Sequence, residues 1–447
     1  MTIQLSDHFT TKRLLRFVLP SIVMMVFTSI YGVVDGFFVS NYAGKTAFAS
    51  VNLIMPFILI TAGIGFMFGT GGSALVSMKL GQQDKEKANR YFSMIVITTI
   101  LLGIIISIFG FIFTPQVARL LGATDDMMHD CVIYGRINIA FNMPFMLQNL
   151  FQTFFITAEK PKLGLYTTTI AAGVSNMILD WILVGIIPLG VVGAASATAV
   201  SQCIGGFFPL IYFIRKNDSL LQLLPTKLKI SPILKAAGNG SSELMSNISS
   251  SLIAMLYNLQ LMKYYGENGV ATYGVLMYVQ FIFIAIYMGY TIGSSPIISY
   301  HYGANNIDEI QNLFKKSYLI IGSAGIILTL TARLAAPIIS SIFVGYDAEL
   351  QQLTEYAFKI SSFMFLPAGF NILSSAIFTA LNNGKVSAVI SFIRTLLFQS
   401  CAILLLPLFI GKDGIWLAAA TAEVLALCVS IFFLVSLKDE YHYFPDN

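Results

Sequence analysis

The chain matches itself at an offset of 222 residues. Gly44, Gly71, Ser73, Ser77 and Gly81 return as Gly266, Gly293, Ser295, Ser299 and Gly303. Further on, Tyr134, Asn149, Thr157 and Ala158 return as Tyr356, Asn371, Thr379 and Ala380, with no gap anywhere. A chain made of two copies of one unit must pack the copies against each other. In a membrane protein such duplication is the mark of transporters, whose sites lie where the copies meet.

The unit belongs in a membrane. Hydrophobic residues make up 56% of the 447 and charged residues 11%, whereas soluble domains carry about 25% charged residues. Twelve apolar stretches reach the ~20 residues needed to cross a bilayer: 15–40, 48–77, 92–114, 132–157, 164–186, 190–214, 233–262, 270–299, 317–344, 354–380, 386–409 and 414–437. Lipid cannot satisfy open backbone groups, so the spans are helices. The fold class expected is an all-α integral membrane protein with twelve transmembrane helices. These form two six-helix lobes related by a pseudo-two-fold axis along the membrane normal. Residues 1–214 make the first lobe, 215–232 a basic cytoplasmic linker, and 233–447 the second lobe. The polar first dozen residues read as no signal peptide, so helix 1 is expected to stay as an anchor.

Roughly 18 of the 26 Lys and Arg residues fall on one side of this arrangement, in segments such as Lys12–Arg16, Lys79–Arg90, Lys160–Lys162 and Arg215–Lys235. The other side holds Lys45, Arg119, Lys263 and Lys412. The positive-inside rule then puts both termini in the cytoplasm of a multi-pass plasma-membrane protein. The net charge of +4 reflects this bias and implies no nucleic-acid partner. The four cysteines have no paired spacing and read as small buried hydrophobes. In each lobe a glycine after the second helix, Gly81 and Gly303, reads as a left-handed helix end, with a short surface helix after it.

A carboxylate at the bilayer centre costs about 2.5–3.5 kcal/mol on insertion scales, so an intramembrane acid points to function. Asp35 lies in helix 1 and Asp180 deep in helix 5. Asn176 sits one turn before Asp180 on the same face. Thr198 lies in the small-residue run Ala194–Ala199 of helix 6. Two carboxylates, an amide oxygen and a hydroxyl suit a hard cation, and the carboxylates can also carry protons. Glu243 reads as a group at the cytoplasmic start of helix 7. Glu423 and Arg394 read as an ion pair inside the second lobe, and Arg136 and Arg333 as helix-end residues reaching the headgroups.

No nucleophile elbow, zinc spacing or nucleotide loop is present, so an intramembrane enzyme has no recognisable set of groups. No cofactor is expected beyond a coupling ion. The 36 Phe, 20 Tyr and 18 Met mostly face lipid or core. Met24, Tyr31, Phe37, Tyr257, Asn258, Tyr278 and Gln280 lie on the helices expected to line the lobe interface. There they would offer an adaptable surface for organic cations.

At this point the chain resembles the multidrug and toxic compound extrusion (MATE) transporters of the prokaryotic DinF type. The resemblance rests on the two repeats, the Leu80-Gly-Gln-Gln-Asp-Lys-Glu-Lys-Ala loop, Leu19-Pro-Ser, Tyr31-Gly-Val-Val-Asp35, and Asn176-x-x-x-Asp180 followed by Thr198. It implies a V-shaped monomeric exporter of amphipathic, cationic drugs in exchange for Na+ or H+. The cation site would be Asp35, Asn176, Asp180 and Thr198, and helix 1 would bend at Pro20. NorM-type members carry acids in helices 7 and 10, whereas helix 10 here offers Asn371. The rival reading within the superfamily is a lipid-linked oligosaccharide flippase. Such a protein is expected to line its cavity with cations, which the acidic first lobe does not.

Overall fold

In a computed structural model the described residues are 3–444, apart from the side chain of Lys45. The ends of the two expected lobes, residues 1–2 and 445–447, lie outside them, as does the Lys45 side chain in the charge tally. Among the described residues ten helical segments are long and apolar enough to cross a membrane. The 63-residue segment Ser241–Gly303 turns back at Gly266 (φ 62°) and supplies two crossings. Asp125–Ala140 and Asn142–Thr157, parted only at Phe141, supply one more. Twelve crossings result: α1 Thr11–Ala43, α2 Lys45–Gly81, α3 Lys85–Leu120, α4 Asp125–Ala140 with Asn142–Thr157, α5 Pro161–Ile186 and α6 Gly190–Ile214. The second six are α7 Ile230–Asn239 with 241–265, α8 267–303, α9 Ile307–Val344, α10 Ala348–Ala380, α11 Gly384–Ile410 and α12 Gly414–Ser436. A short α13, Lys438–Tyr441, follows.

The contacts explain why the repeated residues repeat. Gly44 and Gly266, at the α1–α2 and α7–α8 corners, both hold positive φ, 95° and 62°, which glycine adopts without steric cost. Gly81 and Gly303 have another role. Both are helical, and the left-handed residues come two positions later, at Gln83 (φ 61°) and Asn305 (φ 53°). What Gly81 permits is close approach: a Cβ there would overlap the Tyr300 carbonyl, and one on Gly303 would overlap that of Met78. Tyr300 is the repeat partner of Met78, so this is one contact seen from both sides of the pseudo-two-fold axis. In the same way Gly71 packs on Gly240, while Gly293 packs on Val18, the repeat partner of Gly240. The expected surface helix after each glycine is absent. Asp84 and Asn306, another repeated pair, cap α3 and α9 directly by accepting from Lys87 N (3.0 Å) and Glu309 N (3.2 Å). The charged residues therefore occupy the first turns of long crossing helices.

All inter-lobe hydrogen bonds among the described residues lie at the linker end of the bundle. Gln83 Nε2 donates to the Tyr300 hydroxyl, Asn239 Nδ2 to Gly71 O, and Asn312 Nδ2 to Phe9 O. The lobes are thus closed against each other on the linker side. The linker itself does not hang free: Gln222 N donates to Asn89 Oδ1 (2.7 Å) and Leu224 N to Ser93 Oγ (2.8 Å) on α3, and Leu221 is fully buried.

The first lobe holds two apolar clusters. One, nearer the linker, stacks Phe92, Phe151, Phe154, Phe155 and Phe213; the other gathers Val39, Val51, Ile54, Ile58 and Tyr134. Long apolar side chains such as Ile108, Phe109 and Ile112 stand exposed on the outside, as a lipid-facing surface requires. Cys401 and Cys428 also stand exposed there; of the four cysteines only Cys131 is fully buried, because helices bathed in lipid need no apolar side chain turned inward. Arg136 and Arg333 are each held by a neighbouring helix. Arg136 lies over the Phe111 ring (5.1 Å), and Arg333 lies over Phe363 (4.6 Å) and donates to Lys359 O. Neighbouring helices offer each guanidinium an aromatic face and a carbonyl within its own reach.

Candidate functional site: an acid cluster in the first lobe and an ion-pair network in the second

Helix α5 is not regular. Leu165–Ile170 and Trp181–Ile186 are π-helical, and the α-helical segment between them, Ala171–Asp180, carries Asn176 and Asp180. Such widened turns recur where a helix must aim particular side chains. Here they flank the two polar residues and turn both into the lobe. Asp35 comes to them from α1, immediately before the π-helical stretch Val39–Ala43.

The structure brings Asp35, Asn176 and Asp180 together. All three are buried, and the Asp35 and Asp180 carboxyls lie within each other's field. Five of their polar side-chain atoms have no protein partner: Asp35 Oδ1, both atoms of the Asn176 amide and both Asp180 oxygens. An unpaired buried polar atom costs about 1–3 kcal/mol, and more for a charged one, so a cluster of five signals a ligand. Four of the five are oxygens, which suit a small hard cation or protons. Among the described residues no group of three or more His, Cys, Asp or Glu is gathered, so the site relies on neutral oxygens beside its two acids.

Thr198 on α6 is half-buried, near the fully buried Tyr134 of α4, whose hydroxyl lies in the field of both Asp35 and Asp180. Tyr134 and Asn138 were not singled out as site residues from the sequence. Tyr134 was visible there as a repeated residue, and its i, i+4 spacing to Asn138 was the available signal. Gln152 Oε1 and Gln202 Oε1 are further buried acceptors without partners in this lobe.

The other expected positions scatter. Pro20 is buried within the unbroken helical run Thr11–Phe38. Met24 is buried beside the Thr168 hydroxyl (3.9 Å), and Tyr31 lies against Phe27 and Gly173, all within the first lobe. Phe37 and Asn258 are exposed. Tyr257 stacks on Tyr273 (4.6 Å) and Tyr278 on Phe343 (6.3 Å), both inside the second lobe, and Gln280 lines a cavity there.

That lobe has its own polar network. Arg394, on the π-helical turn Ile393–Phe398 of α11, donates through Nε to both oxygens of Glu423 on α12, at 2.9 and 3.0 Å. Asn371 Nδ2 donates to Glu423 Oε2 (2.8 Å), and Ser430 donates to Asn371 Oδ1 (2.9 Å). The expected ion pair is therefore present, with both Glu423 oxygens hydrogen-bonded. Glu243 departs from expectation. Helix α7 starts at Ile230, and its break at Gly240 lies against Met67 and Gly71, well inside α2. Glu243 is thus several turns into the bundle, within the field of Arg394. The expected span 233–262 already covers most of this segment, but a span gives no depth for Glu243, which the packing of Gly240 on α2 supplies.

Comparison with known proteins agrees with this architecture. The MatE family model matches residues 20–182 and 244–402, once in each half. The multidrug export protein MepA of Staphylococcus haemolyticus is 26% identical over 96% of this chain and 94% of its own length, and the MepA of Staphylococcus aureus strain MSSA476 is 25% identical over the same shares. Among solved structures, that of MATE in complex with MaL6 aligns with a TM-score of 0.92 at 20% identity, covering 98% of both chains. The outward-facing conformation of a multidrug resistance MATE family transporter of the MOP superfamily aligns with a TM-score of 0.91 at 21% identity and the same coverage. With the family model spanning both lobes, the chain belongs to the MatE family of membrane transporters.

Proposed function

We propose that the protein is a multidrug efflux antiporter that expels amphipathic, cationic organic compounds in exchange for Na+ or H+. It works as a monomer in the plasma membrane, with both termini and the linker in the cytoplasm. Residues 1–214 and 233–447 act as the two moving lobes, joined by 215–232. The observation that carries this reading is the cluster of unpartnered buried atoms on Asp35, Asn176 and Asp180. Two adjacent buried carboxylates repel each other, and a cation or proton between them removes that cost. The occupied and empty site then prefer different lobe arrangements, and this difference in affinity couples the ion to the drug. Tyr134 positions Thr198 against the site. Closure on the linker side corresponds to the state open to the outside, in which drug leaves and the ion enters.

The test is gradient-driven efflux of a cationic dye in proteoliposomes, with Na+ and pH gradients imposed separately. Asp35→Asn and Asp180→Asn should each lose at least tenfold of the coupled rate while keeping their elution profile. Wild-type rates from both would end the proposal.

A further inference from the structure

Both lobes bury polar side-chain atoms that have no partner among the described residues. In the first lobe most of the orphaned atoms are acceptors: Asp35 Oδ1, both Asp180 oxygens, Gln152 Oε1 and Gln202 Oε1. In the second lobe a cavity of about 190 Å³ lies between α7, α8, α10, α11 and α12, and two of the residues that line it carry donors with no protein partner. Trp416 Nε1 is one. The residue is only 2% exposed, it lines the cavity, and its N–H has no partner. The Arg394 guanidinium is the other. Its Nε is committed to Glu423, while its two terminal nitrogens have no protein partner among the described residues. The Glu423 oxygens are already taken by Arg394 and Asn371, so they offer little to an incoming cation. Glu243 also acts on Arg394 but does not line the cavity.

We propose that this cavity is a second ligand site and takes an aromatic carboxylate. The carboxylate meets the free edge of the Arg394 guanidinium, the fork geometry in which arginine binds two oxygens at once. Trp416 Nε1 supplies a further donor. The ring lies against the stacked Tyr257 and Tyr273, which form an apolar wall with the offset faces aromatic ligands prefer. Glu423 holds the guanidinium in place from behind through Nε, as a bound arginine needs if its other edge is to meet a ligand without reorganising. The site lies apart from Asp35 and Asp180 and needs no ion gradient. Its occupancy is therefore independent of whether the chain is an antiporter.

The chain has two tryptophans, and Trp181 is 56% exposed and far from the cavity in sequence and lobe. In a Trp181→Phe background Trp416 is the sole reporter. Anthranilate, a small aromatic carboxylate that absorbs where tryptophan emits, should quench Trp416 and gain sensitised emission in a saturable way. Anthranilamide, the same fluorophore without the charge, should bind at least tenfold more weakly. Arg394→Lys keeps the charge opposite Glu423 but removes the fork, and should shrink the tenfold preference to threefold or less. Should that variant fail to fold, Trp416→Phe removes the indole N–H with its five-membered ring and keeps an aromatic side chain. By equilibrium dialysis against the otherwise native chain it should weaken anthranilate binding at least fivefold. Equal binding of acid and amide, no saturable transfer, or unchanged affinity in Trp416→Phe would each overturn the assignment. Loss of ion-driven efflux in the Asp35 or Asp180 variants, with anthranilate binding intact, would leave it standing.

Discussion

His8 Nδ1 lies 2.6 Å from Glu309 Oε2, joining the segment before α1 to the opposite lobe. Around this contact the N-terminal residues form a strap across the closed end of the molecule. Phe9 N donates to Glu309 Oε1 (2.9 Å), and Phe9 O accepts from Asn312 Nδ2 (3.0 Å) and Lys316 Nζ (2.6 Å). Leu5 N donates to Glu159 Oε1 of the first lobe (2.6 Å), and the Leu5 and Phe9 side chains are fully buried. The strap is anchored to both lobes and has to peel from one of them if the linker side opens.

Glu309→Ala should therefore loosen closure on the linker side. It removes the acceptor of the strap's two bonds, from His8 and Phe9, each worth about 1.5–3 kcal/mol when charge-assisted, so the population of the opened form should rise tenfold or more. Spin labels at the exposed positions Lys162 and Lys385, at the linker ends of α5 and α11, should show a second, longer distance in the variant. A distance distribution identical to wild type would mean that the strap bears no load.

The glycines at the axis make a stricter prediction. Adding a methyl at Gly303 or Gly71 sets a Cβ against backbone of the other lobe, and overpacking of this kind costs typically about 1–3 kcal/mol. The strain exists only where the lobes meet. Gly303→Ala should accordingly leave the melting temperature of the solubilised protein within a few degrees of wild type. It should favour the conformation open on the linker side and lower efflux severalfold. A large fall in melting temperature with no change in conformation would show that these glycines serve the folding of one lobe and not the meeting of two.

Much of this was legible in the chain. The twelve crossings follow from apolar length, and the acid cluster from the cost of charge in lipid. The offset of 222 residues also carried more than it first yielded. It marked Gly81 and Gly303 as a pair, but a sequence does not separate a glycine needed for its dihedral angle from one needed for its missing side chain. Only the proximity of Tyr300 and Met78 decides that. Glu243 was placed at the helix start because a span of apolar residues gives no depth; that depends on how Gly240 packs on α2. Tyr134 was overlooked as part of the site because aromatic residues in membrane helices are common, and its link to Thr198 depends on how α4 and α6 pack. The asymmetry of the two lobes was half visible: the repeat partners of Asn176 and Asp180 are Phe398 and Ala402, but the donors of Trp416 and Arg394 meet only through folding.

The linker is tied to the first lobe by a contact that pH should break at both extremes. Lys160 Nζ lies 2.7 Å from Asp218 Oδ2, and the Tyr212 hydroxyl donates to Asp218 Oδ1 (3.2 Å). The hydrogen bond from Lys160 holds the Asp218 carboxyl below its usual range, and the same bond raises the Lys160 ammonium above its own. A depressed carboxyl keeps the contact as pH falls past the usual Asp range and loses it only on passing the lowered value. A raised ammonium keeps it as pH rises past the usual Lys range and loses it above that. Asp218 is exposed, so the contact is screened and adds little to stability. Asp218→Asn should leave melting unchanged between these limits while speeding amide exchange at Ser219 and Leu220. Unchanged exchange would show that the bonds to Asn89 and Ser93 hold the linker alone.

The Arg394–Glu423 pair sets the largest expected stability effect. Glu423 is 0% exposed and Arg394 nearly buried, so removing one partner leaves the other as an uncompensated charge in a low-dielectric lobe. Breaking a buried pair in this way costs about 3–5 kcal/mol, whereas replacing both partners by groups of similar volume is often neutral. Arg394→Met should destabilise by that amount, because Glu423 retains only Asn371 as a side-chain donor. Glu423→Gln alone should cost less, since a neutral amide can still accept from Asn371 and does not strand a negative charge. The Arg394→Met, Glu423→Gln double variant should then recover most of the loss seen in Arg394→Met. A double-mutant cycle by thermal unfolding in one detergent decides it. Additive losses, with no recovery in the double variant, would mean that the two side chains stabilise the lobe through separate packing and not through their charges.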